Sequence, residues 1–209
     1  MNKENPISEI LVNHIITGKL KPGERLVERN LVSQFGASRT PIREAIRRLE
    51  NLGLVQCFPN RGAMVADFSP NDIENLYFLR IQLEQLAAKL SFSNLGPKEI
   101  RTLQEINRQI HLFQKRNNLH AIIENDYRFH NLIYEATMNK FLVQVIQTLR
   151  LKSYIVPFYR WTDPREAKIG IVEHREIINA LKERNREKFQ HFAVHQLIAA
   201  KTCYLNNLH

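Results

Sequence analysis

Between Gly18 and Val65 the apolar residues permit few arrangements of short elements, and this stretch constrains the fold more than any other part of the chain. Leu26, Leu31, Val32 and Phe35 sit at helical spacing, and Ile42, Ala45, Ile46, Leu49 and Leu52 repeat it after the tight turn Phe35-Gly36-Ala37. Two short helices therefore share one small core. Ser38 stands at the N-cap position of the second, its hydroxyl placed to accept a free backbone N–H, and Pro41 lies near the helix start, where a missing N–H costs little. That helix is read as Ser38 to Leu52. After Gly53, residues Leu54 to Val65 alternate loosely around Pro59-Asn60-Arg61-Gly62, a turn cluster between strand-like runs. Helix, turn, helix and hairpin in this order predict a winged helix-turn-helix. Ahead of it, Ile7, Ile10, Leu11, Ile15 and Ile16 form a helical stripe expected to pack beneath the other two helices.

The first turn and outer face of the second helix carry Arg39, Thr40, Arg43, Arg47 and Arg48. In a helix-turn-helix this end meets base edges in the major groove. Arginine suits the task because its planar fork pairs bidentately with guanine O6 and N7 or with a phosphate. An ordinary solvated basic face is the competing reading, and the cap, turn and hairpin count against it. Arg61 at the hairpin tip can reach a minor groove or a phosphate, unless the hairpin merely caps the core.

With 209 residues and 44% hydrophobic content the chain can bury two modest cores, and no apolar run reaches the roughly 20 residues that cross a membrane, so a soluble protein is expected. The first residues lack an apolar signal segment, and Cys57 and Cys203 lie far apart, as free thiols in a reducing cytoplasm would. The net charge of +9 implies an anionic partner, but residues 1–66 hold only ten Lys/Arg against six Asp/Glu, so more than half the surplus lies elsewhere.

A boundary falls at Asp67–Asp72, where Ser69-Pro70 ends one pattern and opens another, giving expected domains of 1–68 and 69–209. The second reads as helical throughout, with breaks near Asn94–Pro97, Asn117-Asn118, Met138–Lys140, Trp161–Pro164 and Arg184-Asn185, hence a bundle of six or so helices and a mostly α fold overall. Asp126 and His130, four apart, share a helix face and can hold one metal ion. His174 and His195 occur among apolar residues on later helices, and His191, one turn before His195, competes with it. Three imidazoles and a carboxylate suit Zn, Ni, Mn or Fe and leave room for a further ligand. Each histidine taken singly is more often a hydrogen-bonded core residue than a metal ligand. Arg80, on an inward stripe, either forks onto a carboxylate ligand or pairs with Glu84. Trp161 sits in a loop-like FYRWTDP segment and either covers a cavity or fills the core.

Two resemblances add to this reading. Gly18-x-Leu20-x-Pro22-Gly23-x-x-Leu26, Ser38-Arg39-Thr40-Pro41-x-Arg43-Glu44-Ala45-x-x-x-Leu49, Gly53-Leu54-Val55 and Gly62-x-x-Val65 resemble the DNA-binding domain of GntR-family transcription regulators. The resemblance implies operator contacts from Arg29, Arg39, Arg43 and the wing at Arg61-Gly62, with Ser38 and Thr40 on phosphates or bases. Leu79-Arg80-x-x-Leu83-Glu84-x-x-Ala87-Ala88, Asp126-x-x-x-His130, Glu173-His174-x-x-Ile177 and His195 resemble the FadR-type (FCD) ligand-binding domain, although the last spacing is tighter than that pattern by a residue. It implies a divalent metal on Asp126, His130, His174 and His195, its shell completed by a small organic acid, with Arg80 and Trp161 about the effector. The expected protein is a cytoplasmic, homodimeric, ligand-responsive regulator that binds a near-palindromic DNA operator. A metal-dependent hydrolase using the same Asp/His cluster is the alternative, and a nonspecific nucleoid-type binder a third reading.

Overall fold

The computed structural model of the chain describes residues 6–59 and 62–206. The chain divides into two compact units between Ser69 and Pro70.

The first unit runs α1 (Pro6–Ile16), β1 (Arg25–Leu26), α2 (Glu28–Phe35), α3 (Arg39–Asn51), β2 (Val55–Phe58) and β3 (Gly62–Val65). Leu11 and Ile15 of α1, Leu31 of α2 and Ile42, Ala45, Ile46 and Leu49 of α3 close its core. Ile42 is fully buried, so truncating it to Ala would cost about 2–5 kcal/mol. Gly36 ends α2 in the left-handed region, at φ 58°, with its N–H on the Val32 carbonyl.

Two expectations are corrected here. Ser38 occupies the N-cap, but its hydroxyl makes no capping bond. The cap oxygen ordinarily takes the second or third N–H of the helix, and the third residue is Pro41, which has none. Leu26 is a strand residue rather than part of the first motif helix. The Gly23 N–H bonds to the Val65 carbonyl at 3.0 Å and the Val65 N–H to the Glu24 carbonyl at 2.8 Å, drawing this segment onto the hairpin. The wing is thus a three-stranded antiparallel sheet of order β1-β3-β2, with Leu26 opposite Ala63 and Val55 opposite Val65.

The second unit comprises α4 (Pro70–Ser91), a 3-10 turn (Phe92–Asn94), α5 (Pro97–Lys115), α6 (Leu119–Glu135), α7 (Lys140–Lys152), α8 (Ile155–Thr162), α9 (Pro164–Lys182) and α10 (Arg186–Asn206). Capping chemistry sets most of the boundaries. Asn118, Asn139, Asp163 and Asn185 accept the N–H groups of Ala121, Leu142, Arg165 and Lys188 at 3.2, 3.1, 2.7 and 3.0 Å. One further break, at Ser153-Tyr154, lies outside the breaks expected from the sequence and places Trp161 inside a helix instead of a loop. Pro157 falls in the first turn of α8, where it cannot donate back to the Ser153 carbonyl, so α7 does not run on. Among the described residues no helix is long and apolar enough to cross a membrane.

Candidate nucleic-acid interface and buried polar site

The apolar face of α3 is consumed by the core, which leaves Arg39, Thr40, Arg43, Arg47 and Arg48 exposed together. Ser38, Arg29 on α2 and Gly62 at the start of β3 are exposed as well, and Arg61 lies outside the described residues. Arg43 Nε donates to both oxygens of Glu28, at 3.1 and 3.0 Å, so an acid at the start of α2 holds the stem of this arginine while its terminal nitrogens take no part in the pair. Only its place directly before Arg29 marks Glu28 in the sequence.

In the second unit α6 and α9 bring Asp126, His130 and His174 together, all buried. His130 Nε2 lies 3.3 Å from His174 Nε2, and Asp126 Oδ1 lies 3.6 and 3.5 Å from the two. Donors around a tetrahedral ion with bonds of about 2.1 Å stand about 3.4 Å apart, so this triangle already has the dimensions of a metal site. Burial lowers the pKa of His130, helped by Arg150 and only partly opposed by Asp126. Burial likewise drives His174 down to about 3, with His130 as the next contributor. Burial alone would raise the Asp126 carboxyl, but His130, Arg150 and His174 outweigh it and hold it below the usual carboxylate range. Two neutral imidazoles and one carboxylate are the protonation states a metal requires. Phe129 fixes the His174 ring by stacking at 4.0 Å, in place of the hydrogen bond that ordinarily orients a ligand's second nitrogen.

His195 does not join them, which corrects the four-residue set. Its side chain is 55% exposed, with Nδ1 3.4 Å from Glu173 Oε1, and His191 is exposed one turn earlier. Phe189, Ala193, Leu197 and Ala200 set the buried phase of α10, and Gln196 is in that phase where His195 is not. Gln196 therefore turns inward, its amide nitrogen 3.5 Å from His130 Nδ1. Counting the phase from Phe189 would have found it.

Around the triangle runs a chain of buried ionic groups that single arginines in a basic sequence did not reveal. Arg150 donates to Asp126 Oδ2 at 3.3 Å and to the Tyr134 hydroxyl at 3.1 Å; Tyr134 in turn donates to Glu84. Arg80 donates to Glu84 at 2.8 Å and to the Ser153 hydroxyl at 2.8 Å, so the Glu84 pairing is the one adopted. Arg160 holds Glu173 and the Gln196 carbonyl. Three guanidinium groups thus face three carboxylates, all buried. A cavity of about 40 Å³, room for about three waters, opens among Arg80, Asp126, Arg150, Arg160, Trp161 and His174. Trp161 also lines a surface groove of about 450 Å³ beside Lys115 and Lys168, so its ring stands between the two spaces. Gly170 makes room for that ring, since a Cβ there would lie 3.0 Å from its edge.

Comparison with known proteins agrees with both halves. Residues 3–65 match the gntR family of bacterial regulatory proteins, and residues 75–199 match the FCD domain. The HTH-type transcriptional regulator YdhC of Bacillus subtilis is 31% identical over 186 residues, covering 87% of this chain and 82% of that protein. McbR of Escherichia coli, also an HTH-type transcriptional regulator, is 28% identical over 183 residues, 87% of this chain and 83% of its own. The solved structure of McbR superimposes with a TM-score of 0.81 at 26% identity over 97% of both chains. The metal-free FCD domain of TM0439, at 20% identity and a TM-score of 0.57, covers 68% of this chain and 98% of its own and shares the fold. These families and relatives are regulators rather than enzymes, which removes the hydrolase alternative. A winged arginine-bearing helix on one unit and an FCD bundle on the other make this chain a member of the GntR family, a DNA-binding transcriptional regulator of the FCD type.

Proposed function

We propose that the helical unit senses a divalent metal, Zn, Ni, Mn or Fe, held by Asp126, His130 and His174, together with a small carboxylate effector, and that this pair controls DNA binding by the winged unit. The observation that carries the proposal is the donor triangle, with sides of 3.3, 3.5 and 3.6 Å between neutral imidazoles and an ionised carboxylate. Charge explains the acid. The buried guanidinium and carboxylate groups already balance, so an ion of charge two brought among them needs an anion beside it. The cavity accommodates a group about the size of a carboxylate, and the Nε groups of Arg150 and Arg160 are buried without acceptors. Trp161 and Arg80 wall the space.

On the DNA side, Arg29, Arg39, Arg43 and the wing at Arg61-Gly62 read the operator, with Ser38 and Thr40 on its phosphates or bases. Two copies paired as a homodimer place two recognition helices on half-sites about one helical turn apart, or a multiple of that. Exposed Phe78, Leu79, Leu86 and Leu90 on α4 and Phe141 and Val145 on α7 give the helical unit an apolar surface suited to self-association. The effector acts only if it prefers one arrangement of the bundle over another.

Elemental analysis of the purified chain, chelated and reloaded with each metal in turn, tests the reading. About one equivalent that disappears in His174→Ala, with the winged unit still folded, is the expected result. A metal content that differs by less than about a tenth of an equivalent between the parent and His174→Ala refutes it.

A further inference from the structure

We infer a second divalent-cation site on the outer side of the helical unit, built from His191, His195 and Glu173, which the inner site leaves unused. His191 and His195 lie four apart on α10, one above the other, with ring centroids 5.7 Å apart and planes 30° from parallel. Imidazoles at this spacing are how a single helix grips zinc. The third donor comes from α9. Glu173 is only 7% exposed; its Oε2 is taken by Arg160, while its Oε1 accepts no hydrogen bond and lies 3.4 Å from His195 Nδ1. A buried carboxylate oxygen without a donor, aimed at a surface histidine, is a ligand position waiting for a cation.

Two histidines and a glutamate with an open coordination position form a recognised zinc donor set. A groove of about 390 Å³ runs beside α10, lined by Gln85, Glu187, His191, His195 and Ile198, and gives an ion access to the two imidazoles, with Glu173 lying outside its lining. Glu187, one turn before His191, puts another oxygen on the same face. The three donors do not yet converge, since among the described residues only Asp126, His130 and His174 bring three ligand atoms together; closing this site requires the exposed His191 side chain to move toward His195 and Glu173. Imidazole with carboxylate favours zinc, nickel or copper over calcium or magnesium.

The test is equilibrium dialysis of the full, chelator-treated chain against zinc(II) alone, with bound metal counted. His195→Ala should remove one class of bound zinc, and His191→Ala should weaken that class at least about tenfold. Asp126→Ala, which strikes the inner triangle and its pair with Arg150 but no residue of the outer set, should leave it intact. Both histidines are exposed, so neither substitution threatens the fold. Zinc binding unchanged in His191→Ala and His195→Ala overturns the inference. Nickel(II) should also broaden the NMR ring signals of His191 and His195 together; broadening confined to other exposed imidazoles, such as His111 and His120, overturns it equally. If the inner site is the mistaken assignment, Asp126→Ala changes no zinc count while the His195 dependence persists.

Discussion

Replacing Tyr134 by Phe removes one oxygen from the middle of the buried ionic chain and leaves the ring in place. That hydroxyl donates to Glu84 and accepts from Arg150 at 3.1 Å, so its loss strips one hydrogen bond from each of two buried charges. A hydrogen bond to a charged group contributes about 1.5–3 kcal/mol, and a buried group left short of a partner costs a similar amount. Glu84 keeps Arg80 and Arg150 keeps Asp126, so neither ion becomes wholly unpaired. A loss of about 2–4 kcal/mol follows, short of the cost of orphaning a charge. For a unit of this size about 1 kcal/mol moves the melting temperature by roughly 2–4 °C, so a fall of about 5–12 °C is expected. Trp161, the single tryptophan, is buried in α8 of the same unit and its emission reports the transition directly. A Tyr134→Phe protein that melts within about 2 °C of the parent would refute the assignment of this hydroxyl as the bridge between the two ion pairs.

Arg43→Ala should weaken binding to a selected operator by about 1–3 kcal/mol while changing stability by less than about 1 kcal/mol, because its pair with Glu28 is exposed; equal losses on operator and random duplex in a titration would make it a phosphate contact instead. Gly170→Ala gains helix propensity of about 1 kcal/mol but must displace the Trp161 ring, which has cavity on either side to enter. Its stability should stay within about 1 kcal/mol of the parent while the Trp161 emission shifts, and an unchanged spectrum would contradict the contact. In chelator-treated protein the urea midpoint should fall steadily as the pH drops from about 6.5 toward 4. His174 is held neutral down to about 3 and His130 is lowered too, so the unfolded chain binds more protons across that window. Asp126 and Glu84, both lowered in the fold, extend the loss below about 4; a flat midpoint would mean these side chains are already solvated.

The periodicity of Ile42, Ala45, Ile46 and Leu49 was enough to place α3 and to say which of its faces carries arginines, since only one helix phase buries all four. Asparagine and aspartate caps likewise announced most helix ends. What escaped was tertiary in origin. The backbone ladder that captures Leu26 joins residues far apart in the chain, and Pro41 cancels the Ser38 cap in a way visible only once the helix start is fixed. Asp126 and His130 were legible as a pair because they lie four apart on one helix face. His174 and His195 carried the same weaker signal, a histidine among apolar neighbours, and only the helix phase separates the one that turns inward from the one that does not. Arg150 and Arg160 had no signature at all: among 30 Lys and Arg, only burial separates them from the rest.

Among the described residues, the even match of three cationic and three anionic side chains buried inside the bundle has a logical consequence for signalling. Metal alone would create an excess of positive charge away from water, and acid alone an excess of negative; only their joint arrival restores neutrality. Under the proposed reading the bundle therefore behaves as a coincidence detector, reporting on metabolite supply and metal supply as a conjunction instead of metering either one.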